Sequence, residues 1–425
     1  KAAAEEAEVY ISSHRETSLR FEANRLKQMT TREGREVALR LIKGGRIGFA
    51  VAHGPLGDED LLRMALEIAP FGAEAKFHMP GPIPYPQVEV FDPAVESLRE
   101  EKMAELGQTL IDRVRREWPE ALCEAWVFKG TSRTEVSNSA GGQSSYDKSV
   151  VGFGVEGVLI RGTDMLFVGD NESSCESTLD IEPVVRSTLR QLELARETVP
   201  PPSGTLPVLF TPLGVASTFI LPLWVAFNGK TVLQGASPLG HRLGEVVFHP
   251  SLSLRDDATA KLRPGARCCD EEGVPSQPIP LIQEGRVMNF LYDLQTAGLT
   301  GKKSTGSASR AMGGIPSPSI SVLLFSHGRA SDEELIAEME EGLVVEHLMG
   351  AGQGNVLGGD FSGNVLLGYK VEKGKIVGRI KDTMVSGNIY DALKEIELGR
   401  EAKWVGGSYF LPPILCRHLS VAKKA

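Results

Sequence analysis

The chain has 425 residues, 41% of them hydrophobic and 24% charged, with a formal charge of -9 at pH 7. That length and apolar content can build two or three packed domains, which excludes a disordered chain. The acidic balance is spread through mixed-sign sequence and offers no basic stripe to neutralise phosphates, so direct nucleic-acid binding is not expected.

In chain order, residues 1–54 read as a helix entering a β-meander. Val37–Ile42 and Arg46–Val51 are apolar strands joined across Lys43, Gly44 and Gly45, where two glycines suit a hairpin turn. Asp58–Ile68 and Val95–Trp118 carry the apolar spacing of amphipathic helices, the second with Leu98, Met103, Leu106, Leu110 and Val114 along one side. Between Cys123 and Gly169 the pattern changes to short alternating strands, such as Val150–Val155 and Met165–Val168, separated by glycine-rich turns. A helix over Ile181–Glu197 closes this half. The run Val199-Pro-Pro-Pro-Ser-Gly204 then breaks regular structure and is the best domain boundary.

The fold class expected is α+β. An N-terminal α/β domain with mixed sheets and amphipathic helices covers 1–199, divisible into 1–90 and 91–199; a linker at 200–204 leads to a β-rich domain over 205–425. Strands are expected near Leu206–Phe210, Ser319–Phe325, Val365–Glu372 and Lys375–Ile380, and Ser331 with Glu334 forms a capping box opening a helix over Asp332–Gly342. No solenoid period recurs.

The longest apolar window, around Phe219–Phe227, falls short of the roughly 18 residues that a bilayer span requires. The segment starting at Lys1 lacks the apolar stretch of a signal peptide and an initiator Met, so residues of the natural protein are expected before Lys1. Cys123, Cys175 and Cys416 are scattered and Cys268-Cys269 are adjacent, without a CxxC or disulfide framework, which points to a reducing cytoplasm.

Several residues invite a chemical reading. His241 and Glu245 stand four apart, as two metal ligands on one helical face would, but Gly240 and Gly244 break such a helix and favour a structural role. His249, Cys268 and Cys269 add ligand types at spacings that fit no standard zinc pattern. Gly350-Ala-Gly-Gln-Gly354 falls one residue short of a dinucleotide loop, and Gly301-Lys-Lys-Ser-Thr305 lacks the first glycine of a P-loop. Ser304-Thr-Gly-Ser-Ala-Ser-Arg310 has two readings: small hydroxyls and an Arg able to hydrogen-bond an extended peptide, or a loop in which Gly and Ser satisfy turn geometry. Asp360, in Asp360-Phe-Ser362, is expected to cap backbone amides. No Ser-His-Asp or Cys-His nucleophile can be assembled.

One ordered series runs through the second half: Phe227-Asn-Gly-Lys230, Gly244-Glu245, Asp256-Asp257, Asp270-Glu-Glu-Gly-Val274, Gly285-Arg-Val-Met-Asn-Phe-Leu-Tyr-Asp293, Thr296-Ala297, Ser304-Thr-Gly306 and Arg310. Gly358-Gly-Asp-Phe-Ser362, Gly368-Tyr-Lys-Val-Glu-Lys-Gly374, Val385-Ser-Gly-Asn388 and Leu411-Pro-Pro-Ile-Leu415 continue it. In order and spacing the series resembles the TldD/PmbA family, and Arg25-Leu26, Leu39–Ile42, Gly45–Phe49 and Asn138-Ser139 with Gly141 match it more loosely. In the TldD branch the resemblance implies a helix bearing His-Glu-x-x-x-His, with a distant Cys, to hold zinc and activate water. Counting back from Phe227-Asn228 puts Ala216, Ser217 and Leu221 at the His, Glu and His positions, and Val199–Leu239 contains no His, Asp, Glu or Cys in any register.

The chain is therefore similar to the PmbA/TldE branch, which lacks the zinc motif. The resemblance implies a non-catalytic subunit without catalytic or metal residues of its own, paired with a zinc-bearing TldD-type subunit or with itself. Unfolded or extended peptides, including precursors of ribosomally made peptide antibiotics and unstable small proteins, are the implied substrates. The family's older label, modulator of DNA gyrase, implies an indirect effect through peptide processing. Ser304, Thr305, Gly306, Arg310, Asp360 and Ser362 are the candidate peptide-channel residues. Two alternatives stand: a divergent metallopeptidase with its own metal near His241, Glu245 and Cys268, and a stand-alone peptide-binding scaffold.

Overall fold

The computed structural model describes residues 4–54, 57–162, 164–311 and 314–423; Lys1–Ala3 of the segment read for a signal peptide lie outside them. The chain opens with three antiparallel strands, β1 (Glu6–Glu22), β2 (Arg25–Lys43) and β3 (Arg46–His53). The helix expected at the start is replaced by β1, in which Thr17, Leu19 and Phe21 are buried at every second position, the period of a strand. The β2–β3 turn falls where expected, with Gly44 and Gly45 at φ of 58° and 70°.

Helix α1 (Asp58–Ile68) forms as expected and packs on β2 and β3. The single helix expected over Val95–Trp118 is divided into α2 (Pro93–Glu96) and α3 (Glu100–Glu117). Lys129 explains the break, because its ammonium takes the carbonyls of Glu96 and Leu98 that would otherwise continue the helix. Met103, Leu110 and Val114 are fully buried, while Leu98 and Leu106 pack at the margin of the same core.

Strands β4 (Leu122–Asn138), β5 (Gln143–Arg161) and β6 (Asp164–Ser174) are long, not short. Two glycines of the expected strand Val150–Val155 lie inside β5 and make room for aromatic rings. Gly152 and Gly154 face Phe128 and Trp126 across the ladder, and a Cβ would come within 2.5 and 2.7 Å of those rings. The resulting six-stranded sheet, β3-β2-β1-β4-β5-β6, is wholly antiparallel where a mixed sheet was expected. Helices α3 and α4 (Glu182–Leu194) cover one of its faces through Leu19, Phe21, Val127, Phe153 and Val155.

Residues 199–203 run without regular structure before β7 (Gly204–Phe210), α5 (Pro212–Phe227) and α6 (Gly229–Leu233). There follow β8 (Leu254–Asp257), β9 (Pro278–Gln283), β10 (Arg286–Val287), α7 (Leu294–Thr300), β11 (Ala308–Ser309), β12 (Ser317–Pro318), β13 (Leu323–Phe325) and α8 (Asp332–Ala337). The chain ends with β14 (Glu341–Met349), β15 (Asp360–Glu372), β16 (Lys375–Arg379), β17 (Thr383–Asn388), α9 (Ile389–Ala392), β18 (Ile396–Leu398), β19 (Lys403–Val405), β20 (Tyr409–Leu411) and β21 (Ile414–Lys423).

Strands β14-β7-β21-β17-β15 close on themselves through the β14–β15 pairing and make a barrel. A second sheet runs β10-β9-β8-β13-β20-β19. The Ser331–Glu334 capping box is present in both directions, at 3.1 and 2.7 Å. Its helix stops at Ala337 and not near Gly342, because the chain joins the barrel as β14 from Glu341. Of Ser319–Phe325, only Leu323–Phe325 is a strand. The architecture is α+β, with a β-rich C-terminal half.

Candidate functional site

Helix α5 lies where the resemblance would put a zinc motif. Thr211 caps it, accepting from the Gly214 amide and donating to Glu346 Oε2 at 2.8 Å, and Pro212 occupies the first turn. Val215, Phe219 and Leu223 point into the barrel core, where Phe219 meets Phe210 and Phe361 edge-on at centroid distances of 5.0 and 6.0 Å. Pro222 sits inside the helix without an amide to donate. The side turned from the core carries Ser217 and Leu221, while Ala216 packs half-buried at the margin of the core.

Those three residues do not fit a zinc ion. Ala216 and Leu221 offer only carbon, and the Ser217 hydroxyl donates to Gly214 O and accepts from the Leu348 amide. His241, Glu245 and Cys268 do not fit one either. The helix that would align the first two is absent, Glu245 pairs with Arg242 at 2.9 Å, and His249 bonds Ser251. Among the described residues no three His, Cys, Asp or Glu side chains are grouped to hold a metal. The metal site read as an alternative near His241, Glu245 and Cys268 is thereby corrected.

Leu221 is exposed beside the turn 351–353, and a Cβ on Gly352 would lie 2.8 Å from its Cδ2. The glycines of this loop serve backbone geometry, Gly350 at φ of 83° and Gly359 at 82°. Asp360 opens β15 on the far side of the loop. Its carboxylate accepts from the side chains of Asn388 at 2.8 Å and Asn355 at 3.2 Å, so it ties the loop to β17 and does not cap backbone amides as expected. Ser362 is exposed opposite Ser386. Leu221 on α5, Met349 at the end of β14 and Leu357 in the loop before β15 are exposed apolar side chains on the elements that flank this loop.

The Ser304–Arg310 run lies elsewhere and is engaged with its own chain. Ser304 and Thr305 bond the backbone of Tyr292, and Gly306, at φ of 71°, would bring a Cβ within 2.5 Å of Pro275 O. Arg310 is buried, donating to Glu271 O, Gly314 O and Glu8, with its guanidinium 5.3 Å from the Tyr10 ring centre. The structure therefore brings Asp360 and Ser362 together on β15, leaves Ser304, Thr305 and Gly306 bonded within the C-terminal half, and sets Arg310 in a separate joint between that half and the N-terminal sheet.

At that joint lies a buried ionic quartet that the sequence reading missed. Arg40 on β2 bonds Glu8 at 2.9 Å and Glu272 at 2.5 Å, and Arg310 bonds the other oxygen of Glu8. Glu272 also accepts the Leu294 amide, and Asp270 accepts those of Glu272, Val274 and Ala308. Burial pushes the Glu272 carboxyl up to about 8 against the pull of Arg40. One clue was available: Arg40 is a charge set between Leu39 and Leu41 in an apolar strand, which requires a partner.

Comparison with known proteins agrees with this geometry. Residues 203–423 match the PmbA/TldA metallopeptidase C-terminal domain, and residues 7–69 match PmbA/TldA metallopeptidase domain 1. An uncharacterised protein of Methanocaldococcus jannaschii is 24% identical over 92% of this chain and 90% of its own length. A metalloprotease of Archaeoglobus fulgidus is 25% identical, over 68% of this chain and 71% of that protein. The TldD homologue of Haemophilus influenzae, also named a metalloprotease, is 28% identical over 50% of this chain but only 44% of its own length. The crystal structure of TldE from Thermococcus kodakarensis superposes with a TM-score of 0.89 at 23% identity, covering 99% of this chain and 97% of that one. A putative modulator of a DNA gyrase from Thermotoga maritima gives 0.88 at 23%, over 98% and 96%. At these identities the two structures establish a shared fold.

Proposed function

Because this chain belongs to the PmbA/TldD metallopeptidase family, we propose that it is a PmbA/TldE-like, non-catalytic subunit of a TldD/TldE-type zinc peptidase in the cytoplasm. The observation that carries this reading is α5: Ala216, Ser217 and Leu221 stand at the motif positions, and 199–239 offer no side chain that ligates zinc or takes a proton from water. Zinc, when bound in a TldD-type partner, would supply the activated water. This chain contributes the shape of the peptide channel.

The surface beside α5 supports a wall for an extended peptide. Leu221, Met349 and Leu357 give side chains apolar contact, while Asp360 and Ser362 present polar groups at the rim. Within the candidate set, Asp360 and Ser362 are the residues we assign to the channel. Arg310 acts through the joint that holds the two halves of the chain together, and Ser304, Thr305 and Gly306 support the loop that leads to it. The names of the relatives are consistent with a TldD-type partner, and self-association is the form expected when the chain is purified alone.

The test compares the chain alone with the chain co-expressed beside a His-Glu-x-x-x-His subunit from the same genome. Zinc content and hydrolysis of an unfolded polypeptide are measured on both preparations. Both are expected only in the co-purified complex. Equimolar zinc together with hydrolysis by the chain alone would overturn the reading.

A further inference from the structure

Cys268 and Cys269 are adjacent in sequence, and both thiols converge on one hydroxyl of the N-terminal sheet. Cys269 Sγ donates to Ser144 Oγ at 3.1 Å, and Cys268 Sγ lies 3.9 Å from the same oxygen. Cys268 is partly exposed, whereas Cys269, Cys123, Cys175 and Cys416 are buried. The backbone fixes the pair at the neck of a tight loop: Cys268 O accepts the Ser276 amide at 3.0 Å, and Cys269 bridges to Pro275.

The surroundings favour a thiolate. Lys148, four residues beyond Ser144 on β5, donates to Pro264 O at 2.8 Å, and the neighbouring Arg267 is buried with Nε and one Nη without partners among the described residues. We propose that Cys268 and Cys269 form a peroxide-sensitive dithiol, with Cys268 as the attacking thiolate and Cys269 as the resolving thiol. The Cys269 thiol and the Ser144 hydroxyl stabilise the Cys268 thiolate, drawing that group down to about 7 against burial.

The chemistry balances with a hydroperoxide as oxidant. Cys268 S⁻ attacks the O–O bond of hydrogen peroxide and becomes a sulfenic acid, and the departing hydroxide takes a proton to give water. Cys269 is held protonated chiefly by the Cys268 thiolate beside it, an influence that vanishes when Cys268 becomes uncharged, and by burial. Cys269 then attacks the Cys268 sulfur, the S–S bond forms, and hydroxide leaves with the proton of Cys269 as a second water. Two thiols supply two electrons and one peroxide is reduced. Neighbouring Cα atoms stand about 3.8 Å apart, closer than the ~4.4–6.8 Å of ordinary disulfides, so the bond is strained and easily reduced. Its strain would act directly on Asp270, Glu271 and Glu272, which hold Arg310, Arg40 and the Ala308 amide at the joint.

The test treats the purified full chain with hydrogen peroxide at neutral pH and reads the peptide containing both cysteines by mass spectrometry. In the wild type that peptide loses two hydrogens, and a dithiol reductant restores them. Cys269→Ser stops at a sulfenic acid on Cys268 that dimedone traps, and Cys268→Ser leaves the peptide unmodified. The Cys268 thiol reacts on the order of tenfold faster than an ordinary free thiol, and Ser144→Ala, which retains both sulfurs, slows it. Cys123, Cys175 and Cys416 serve as buried internal references. Reaction of Cys268 no faster than those three, or an unchanged rate in Cys268→Ser, overturns the proposal. Because the wild-type measurement needs no variant and no partner, its outcome is independent of the subunit reading above.

Discussion

Replacing Arg40 with methionine should cost about 3–4 kcal/mol of stability at pH 8, near the lower end of what breaking a buried ion pair costs. The side chain is 1% exposed and its two carboxylate partners are fully buried, so none of the three charges can turn to water. Methionine fills much of the side chain's space but also gives up the guanidinium's stacking on Phe77 and its N–H contact with the Met79 sulfur. It leaves Glu8 with Arg310 alone and Glu272 with only the Leu294 amide, at 2.7 Å. The loss stays below twice a single pair because Glu8 keeps one cation and Glu272 can take up a proton. Burial raises the Glu272 carboxyl from 4.5 to about 8 even with Arg40 present. A carboxyl raised in the folded state binds more protons folded than unfolded across that window, so its contribution to stability falls as pH rises from 4.5 to 8. Without the opposing pull of Arg40 the window extends above pH 8, so the deficit of Arg40→Met should be smaller near pH 5 than at pH 8, where the parent carboxyl has begun to ionise. Urea unfolding followed by tryptophan fluorescence at both pH values reads this, with Arg40→Met/Glu272→Gln expected to recover most of the loss. A deficit under about 1 kcal/mol at pH 8, or equal deficits at the two pH values, would refute the reasoning.

Phe219→Ala should cost about 3–5 kcal/mol in the same assay, since the ring is fully buried among Phe210 and Phe361; a loss near 1 kcal/mol would mean that the barrel core closes over the gap. Leu221→His, two residues on but 40% exposed, should stay within about 1 kcal/mol of the parent and acquire no equimolar zinc by metal analysis. Asp256→Asn should be more stable than the parent above pH 6 by about 3 kcal/mol and equal to it below pH 4. Burial raises Asp256 from 3.8 to about 6, so the parent loses stability as pH rises through that window, and all three of its hydrogen bonds fall on Oδ1, which asparagine keeps as a carbonyl. A variant less stable than the parent at pH 7 in urea unfolding would contradict this account.

Local pattern revealed those parts of the fold whose cause is local. The β2–β3 turn, α1 and the Ser331–Glu334 box each follow from residues within one turn or one helical face, and each forms where its residues indicate. The departures have causes distant in sequence. Lys129 divides the helix expected over Val95–Trp118, and the closing barrel takes Gly342 away from α8. At the candidate site the absence of zinc ligands on α5 was legible, because it needs only composition. The engagement of Arg310 was not. Its partner Glu8 lies 302 residues away, and nothing near Arg310 separates a peptide-binding guanidinium from a buried structural one.

Helix α5 shows why such a frame can persist without a metal. Its core side, Val215, Phe219 and Leu223, recurs every four residues, whereas the motif positions Ser217 and Leu221 lie on the other side and Ala216 packs at the margin of the core. Packing energy therefore resides in one set of side chains and ligand chemistry would reside in the other. Substitution in the second set leaves the first intact, which is the contrast between Leu221→His and Phe219→Ala. The helix is further held by Thr211 bonded to Glu346, a contact independent of both sets. A helix anchored in this way keeps its packing whatever its exposed positions carry, here Ser217 and Leu221.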